Sequence, residues 1–98
     1  MRVYISGPMT GYPDWNKPAF AAAADQLRDR GYEPMNPAEV KLGPGATWEQ
    51  YMREDLKLLM DCEAVALLPG WEQSRGATLE ASIARRLGMA VRPLEEFA

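Results

Sequence analysis

The chain has 98 residues, 47% hydrophobic and 26% charged, the composition of one ordinary globular domain with a modest core. Its formal net charge of -3 supplies no basic footprint for duplex nucleic acid or an anionic membrane; a few local donors still suffice to hold one small phosphorylated ligand. With no histidine and one cysteine, Cys62, the chain has no Ser-His-Asp triad, no His-containing metal site and no internal disulfide, so acid–base work falls to carboxylates, tyrosine, lysine or the lone thiol.

Arg2 to Ser6 reads as a short buried strand stopped by Gly7-Pro8. A loop with Gly, Pro and Thr follows to about Tyr12. From about Asp14 to Arg30 the pattern is helical. Phe20, Ala23, Ala24 and Leu27 recur at i, i+3, i+4 and i+7, and Gly31 stands in the usual stop position. Tyr32 to Met35 is a brief second strand, followed by a Pro- and Gly-containing loop from Asn36 to Ala46. Thr47 with Gln50 three residues on is a capping-box signature, and the helix it opens runs to about Met60. Ala64 to Leu68 is a continuous apolar run closed by Pro69-Gly70, the pattern of a strand covered on both faces; Cys62 beside it reads as a small core residue. A third helix is expected from about Arg75 to Leu87, stopped by Gly88, and a last strand from Met89 to Leu94.

The order is β-α-β-α-β-α-β. It predicts a single α/β domain over 1-98, a small flavodoxin- or Rossmann-like three-layer sandwich with a four-stranded parallel sheet. In such a sheet ligands bind at the carboxyl ends of the strands, near the switch point. The loops from Gly7 to Asn16, around Asn36, and from Pro69 to Gly76 are expected to converge there.

Several residues break the apolar pattern. Asp55 shares the inward stripe of the second helix with Tyr51, Met52, Leu56 and Leu59. A carboxylate there is either paired, at the edge of the stripe with its head in water, or facing a pocket. Glu80 adjoins the stripe of Leu79, Ile83, Ala84 and Leu87 in the first turns of the third helix. It is either a carboxylate favoured by the helix dipole or a reacting group. Ser74-Arg75-Gly76 opens that helix as an anion site or as an ordinary serine cap with a turn glycine. Tyr4 either fills the core or aims its hydroxyl at a carboxylate. Trp15, Trp48 and Trp71 lie in or beside loops, as base-stacking surfaces or as lids over the core.

Tyr4-Ile5-Ser6-Gly7-Pro8, Asp55-Leu56, the run from Asp61 to Pro69, and Ser74-Arg75-Gly76-Ala77-Thr78-Leu79-Glu80 together resemble the nucleoside 2-deoxyribosyltransferase superfamily. Within it the chain is similar to a short, phage-associated branch of uncharacterised function. The resemblance covers Arg2 to about Val91. It implies that Glu80 is the nucleophile, that Tyr4 orients it, and that Asp55 serves the leaving base and the sugar. Gly7, with Pro8 beside it, falls in the first loop near the sugar. Ser74 stands where the transferases have an aspartate and the deoxynucleoside 5′-monophosphate N-glycosidases have a phosphate-binding serine, so Ser74, Arg75 and Gly76 are expected at a phosphate. Thr78 departs from the small residue usual two positions before the nucleophile.

The expected activity is hydrolysis or transfer at the N-glycosidic bond of a nucleoside or its 5′-monophosphate, with no metal or redox cofactor. The alternatives are a catalytically silent nucleotide-binding module and an interaction protein using this fold without a ligand. The remaining expectations are a small-molecule partner, a cytoplasmic location, and a homodimer or higher homo-oligomer with Trp48, Tyr51 and Met52 at its interface.

Overall fold

Val3, Tyr4, Ile5 and Ser6 are fully buried, so the strand they form runs through the interior of the molecule. In the computed structural model, which describes residues 1–98, this strand is β1 (Arg2–Ser6). It is followed by α1 (Lys17–Asp29), β2 (Glu33–Met35), α2 (Trp48–Met60), β3 (Ala64–Leu67), α3 (Arg75–Arg86) and β4 (Ala90–Pro93). The sheet order is β2-β1-β3-β4 and every pair is parallel. The predicted α/β architecture and its four-stranded parallel sheet are therefore what the chain adopts. The edge strands carry Pro34 and Pro93, which remove donors where an unpaired edge would otherwise invite another strand.

Side-chain alternation divides the core into two layers. Val3, Ile5, Ala64 and Ala66 face α1, where Phe20, Ala23, Ala24 and Leu27 close over them. Tyr4, Val65 and Leu67 face the other way, towards Leu59 of α2 and Ala81 and Ala84 of α3. Full burial of a side chain such as Leu27 or Leu59 contributes roughly 1.5–3 kcal/mol. The segment after β4 also joins the core. Phe97 is buried and packs edge-to-face on Tyr32 at 5.6 Å between ring centres, and the Arg30 guanidinium donates to its carbonyl. No helix is long and apolar enough to cross a membrane.

Two local features differ from the sequence expectation. The helix expected from Asp14 begins at Lys17, because Pro18 has no N–H to give the carbonyl of Asp14. Pro13–Asn16 instead forms a 3₁₀ turn in which Asp14, Trp15 and Asn16 are left-handed, with φ of 51°, 53° and 61°. The Asn16 side chain braces that turn by donating to the Pro8 carbonyl at 2.9 Å. The second difference is the phase of α3. Its buried face is Ala77, Glu80, Ala81 and Ala84, while Leu79 and Leu87 are 37% and 59% exposed. Small residues let the helix lie close to the sheet, and Glu80 stands among them rather than beside them. The Thr47–Gln50 capping box forms as expected, with both reciprocal hydrogen bonds present.

The strand order reverses between β1 and β3, which opens a crevice beyond their carboxyl ends. Gly7 lies at that point, and a Cβ there would stand 2.7 Å from the Leu68 Cβ. Replacing Gly7→Ala is expected to force the first loop off the β3 end, lowering stability by roughly 1–3 kcal/mol. Urea unfolding, compared with wild type, checks this.

Candidate active site

Alternation along β1 puts Tyr4 and Ser6 on the same face, two residues apart. The α3 residue opposite them is Glu80, only 4% exposed. The Tyr4 hydroxyl donates to Glu80 Oε2 at 2.6 Å, and the Ser6 hydroxyl donates to Oε1 at 2.7 Å. Both oxygens of one buried carboxylate are thus held by neighbouring hydroxyls of one strand. Burial pushes the Glu80 carboxyl up to about 7, against the two hydrogen bonds, which favour the anion; the negative charge of Asp55 raises it further. Tyr4 is raised well above the usual tyrosine range by burial and by the charge of Glu80, so its hydroxyl keeps its proton and acts as a donor.

Asp55 comes from α2, on the same side of the sheet. Its carboxyl is also pushed up to about 7, mainly by burial and secondarily by the charge of Glu54. Its Oδ1 is shielded from solvent and takes no hydrogen bond from the protein. The salt-bridge alternative for this residue is not what forms. Two carboxylates with raised proton affinity therefore share one site, one held by donors and one without them.

Asp55 and Glu80 both line a cleft of about 1110 Å³ at the carboxyl ends of the strands. The first loop contributes Gly7, Pro8, Tyr12 and Trp15, the second Pro37 to Ala46 in part, and the third Gly70 to Gly76 in part; the expected convergence of three loops is observed. Ser74 caps α3, its oxygen accepting from the Ala77 N–H at 3.1 Å. The hydroxyl proton stays available to a ligand. The Arg75 guanidinium sits over the Trp48 ring, 3.6 Å from its centre, a held cation at the cleft wall. Gly76 is where α3 passes over α2, since a Cβ there would meet Met52 Sδ at 3.2 Å. Trp15 and Trp48 line the cleft, whereas Trp71 packs against the core layer under α2 and α3, near Arg85. Met52, expected at a dimer interface, is buried within the chain, and Tyr51 lines the cleft.

Sequence reasoning missed three residues here. Lys17 lines the cleft from the start of α1 and Lys41 from the second loop; nothing in their spacing marks them. Ser6 was legible in principle, as a polar residue two positions from Tyr4 in a strand otherwise buried and apolar.

The raised carboxyls have a consequence for stability. A group whose folded pKa exceeds its unfolded value stabilises fully below the unfolded value and loses that contribution as pH rises through the folded one. For Asp55 and Glu80 the window runs from ordinary values of 3.8 and 4.5 to about 7. Thermal melts are expected to show a lower Tm at pH 8 than at pH 5.5, and the double variant Asp55→Asn, Glu80→Gln should flatten that difference.

The fold is shared with solved 2-deoxyribosyltransferases. The enzyme from the psychrotolerant bacterium Bacillus psychrosaccharolyticus superposes with a TM-score of 0.72 at 17% identity, over 93% of this chain and 69% of that one. The 2-deoxyribosyltransferase of Leishmania mexicana gives 0.70 at 17% identity, over 92% of this chain and 61% of that one. This chain therefore spans roughly two thirds of their lengths. A search of curated proteins finds no match. One protein family matches residues 1–92, nearly the whole domain just described, and the chain belongs to it: the family described as Domain of unknown function DUF4406.

Proposed function

We propose that the protein breaks the N-glycosidic bond of a nucleoside 5′-monophosphate, with Glu80 as nucleophile and Asp55 as general acid. The observation that carries this reading is the pairing of the two carboxyls in one cleft. Glu80 accepts two hydroxyl hydrogen bonds, which favour its anion, and Asp55 accepts none at Oδ1, which favours its protonated form. Environments that treat two carboxyls differently assign them different roles. The fold's solved neighbours, both named 2-deoxyribosyltransferases, point to the same bond.

The ionised Glu80 attacks C1′ of the sugar as the C1′–N bond breaks. The electron pair of that bond leaves with the base, and Asp55 supplies its proton. Water then attacks C1′ of the glycosyl ester, giving a proton back to Asp55 and freeing Glu80. Attack by a second base at the same step gives transfer instead. The case for a monophosphate is the charge lining the cleft. Lys17, Lys41 and Arg75 stand there with no acid besides the two working carboxyls, in a chain of net charge -3. The Ser74 hydroxyl and the first turn of α3 add donors for an anion.

Incubation with a panel of nucleosides and 5′-monophosphates, with free base separated by chromatography, tests the reading. Base release is expected from a monophosphate, with a bell-shaped pH dependence around neutrality because one carboxyl must be ionised and the other protonated. Glu80→Gln should lower release by about 10⁴-fold or more, and Asp55→Asn by about 10²–10⁴-fold. No release from any compound, with monophosphate binding retained, would leave a silent nucleotide-binding module.

Ser74→Ala should weaken a monophosphate about ten- to hundredfold and leave its nucleoside nearly unchanged, as expected for one hydrogen bond to a charged group. Calorimetry with the matched pair measures this. Equal weakening of both would mean that Ser74 serves α3 or the sugar rather than a phosphate.

A further inference from the structure

Ser6 touches Glu80 but no atom of the bond that would break, and its place in the fold calls for a role of its own. It is fully buried. Its backbone carbonyl is already occupied, accepting from the Leu68 N–H at 2.9 Å, so β1 is fixed against the end of β3 at this residue. A serine hydroxyl has a single proton to give, and here it goes to Glu80 Oε1.

One donor would leave the carboxylate free to turn, because the last torsion of a glutamate is broad. Tyr4 alone, at the end of a long ring, tethers only Oε2. With Ser6 on Oε1 the carboxylate is held at two points by neighbouring residues of one strand, and its plane is fixed. Each oxygen keeps lone-pair capacity beyond the hydrogen bond it accepts, so the clamp does not occupy the carboxylate completely.

We propose that Ser6 is a positioning residue for Glu80, fixing the plane of its carboxylate and favouring its ionised form through the bond to Oε1. The proposal rests on the reading of Glu80 as the reacting carboxylate. A serine that merely filled space between β1 and α3 would leave the titration of Glu80 untouched when replaced by alanine.

The test is carbon-13 NMR of glutamate side-chain carboxyls in the ligand-free protein, titrated from pH 4 to pH 9, with Glu80→Gln identifying the signal. Ser6→Ala should move the Glu80 midpoint up by about one pH unit, the size expected for a lost hydrogen bond to a charged group. Ser6→Cys keeps a weaker donor of similar shape and should give a midpoint between the two. Unchanged amide spectra away from Glu80 show that both variants fold. In the monophosphate assay Ser6→Ala should lower kcat about tenfold with KM nearly unchanged, and shift the acid limb of the pH profile upwards. A Glu80 midpoint that stays in place in Ser6→Ala, while Tyr4→Phe moves it, overturns the proposal. Because the titration needs no substrate, a moved midpoint without base release in any variant upholds the role of Ser6 towards Glu80 and rejects only the enzymatic reading.

Discussion

A carboxylate taken out of water is costly unless something replaces its hydration. For Glu80 the replacement is two hydroxyls of β1, Tyr4 and Ser6. Much else in the domain follows from bringing that side chain to that strand. The contact requires α3 to lie close, and the helix meets the requirement with Ala77, Ala81 and Ala84 on its inward face. It requires β1 to be interior, flanked by β2 and β3. It also requires the loop after β1 to leave quickly, which Gly7 does at a point where any side chain would strike Leu68.

Both carboxyls of the cleft come from the helices on one face of the sheet. Their separation is therefore set by how α2 and α3 pack, and only indirectly by the strands. Gly76 over Met52 and Arg75 over Trp48 are the contacts where the two helices begin, a short distance along each helix from Asp55 and Glu80. The same contacts form part of the cleft wall. A ligand pressing on that wall acts on the parts that space the carboxyls.

The fold was readable because its signals are local and redundant. Apolar runs bounded by Gly and Pro marked the strands, and the alternation with amphipathic helices left a parallel sheet as the natural arrangement. Asp55 and Glu80 stood out because a charge on an apolar stripe conflicts with burial. The start of α1 was misplaced because the apolar stripe from Phe20 to Leu27 does not mark where the helix begins, whereas the missing N–H of Pro18 decides the matter. The phase of α3 was misread because leucines carry more weight than alanines in a hydrophobic pattern, while close approach to a sheet favours the alanines. Ser6, Lys17 and Lys41 depend on which chain segments meet in space, and spacing along the sequence does not report that.

Histidine is the side chain that ordinarily changes charge near neutrality, and this protein has none. Burial gives it two substitutes, since the carboxyls of Asp55 and Glu80 both lie at about 7. The cleft therefore takes up or releases protons in the range where cells hold their pH. Any ligand that favours one charge state must move protons when it binds, so its affinity depends on the acidity of the surroundings and its binding heat on the buffer. A chain that looks insensitive to neutral pH from its composition is made sensitive by where it folds two acids.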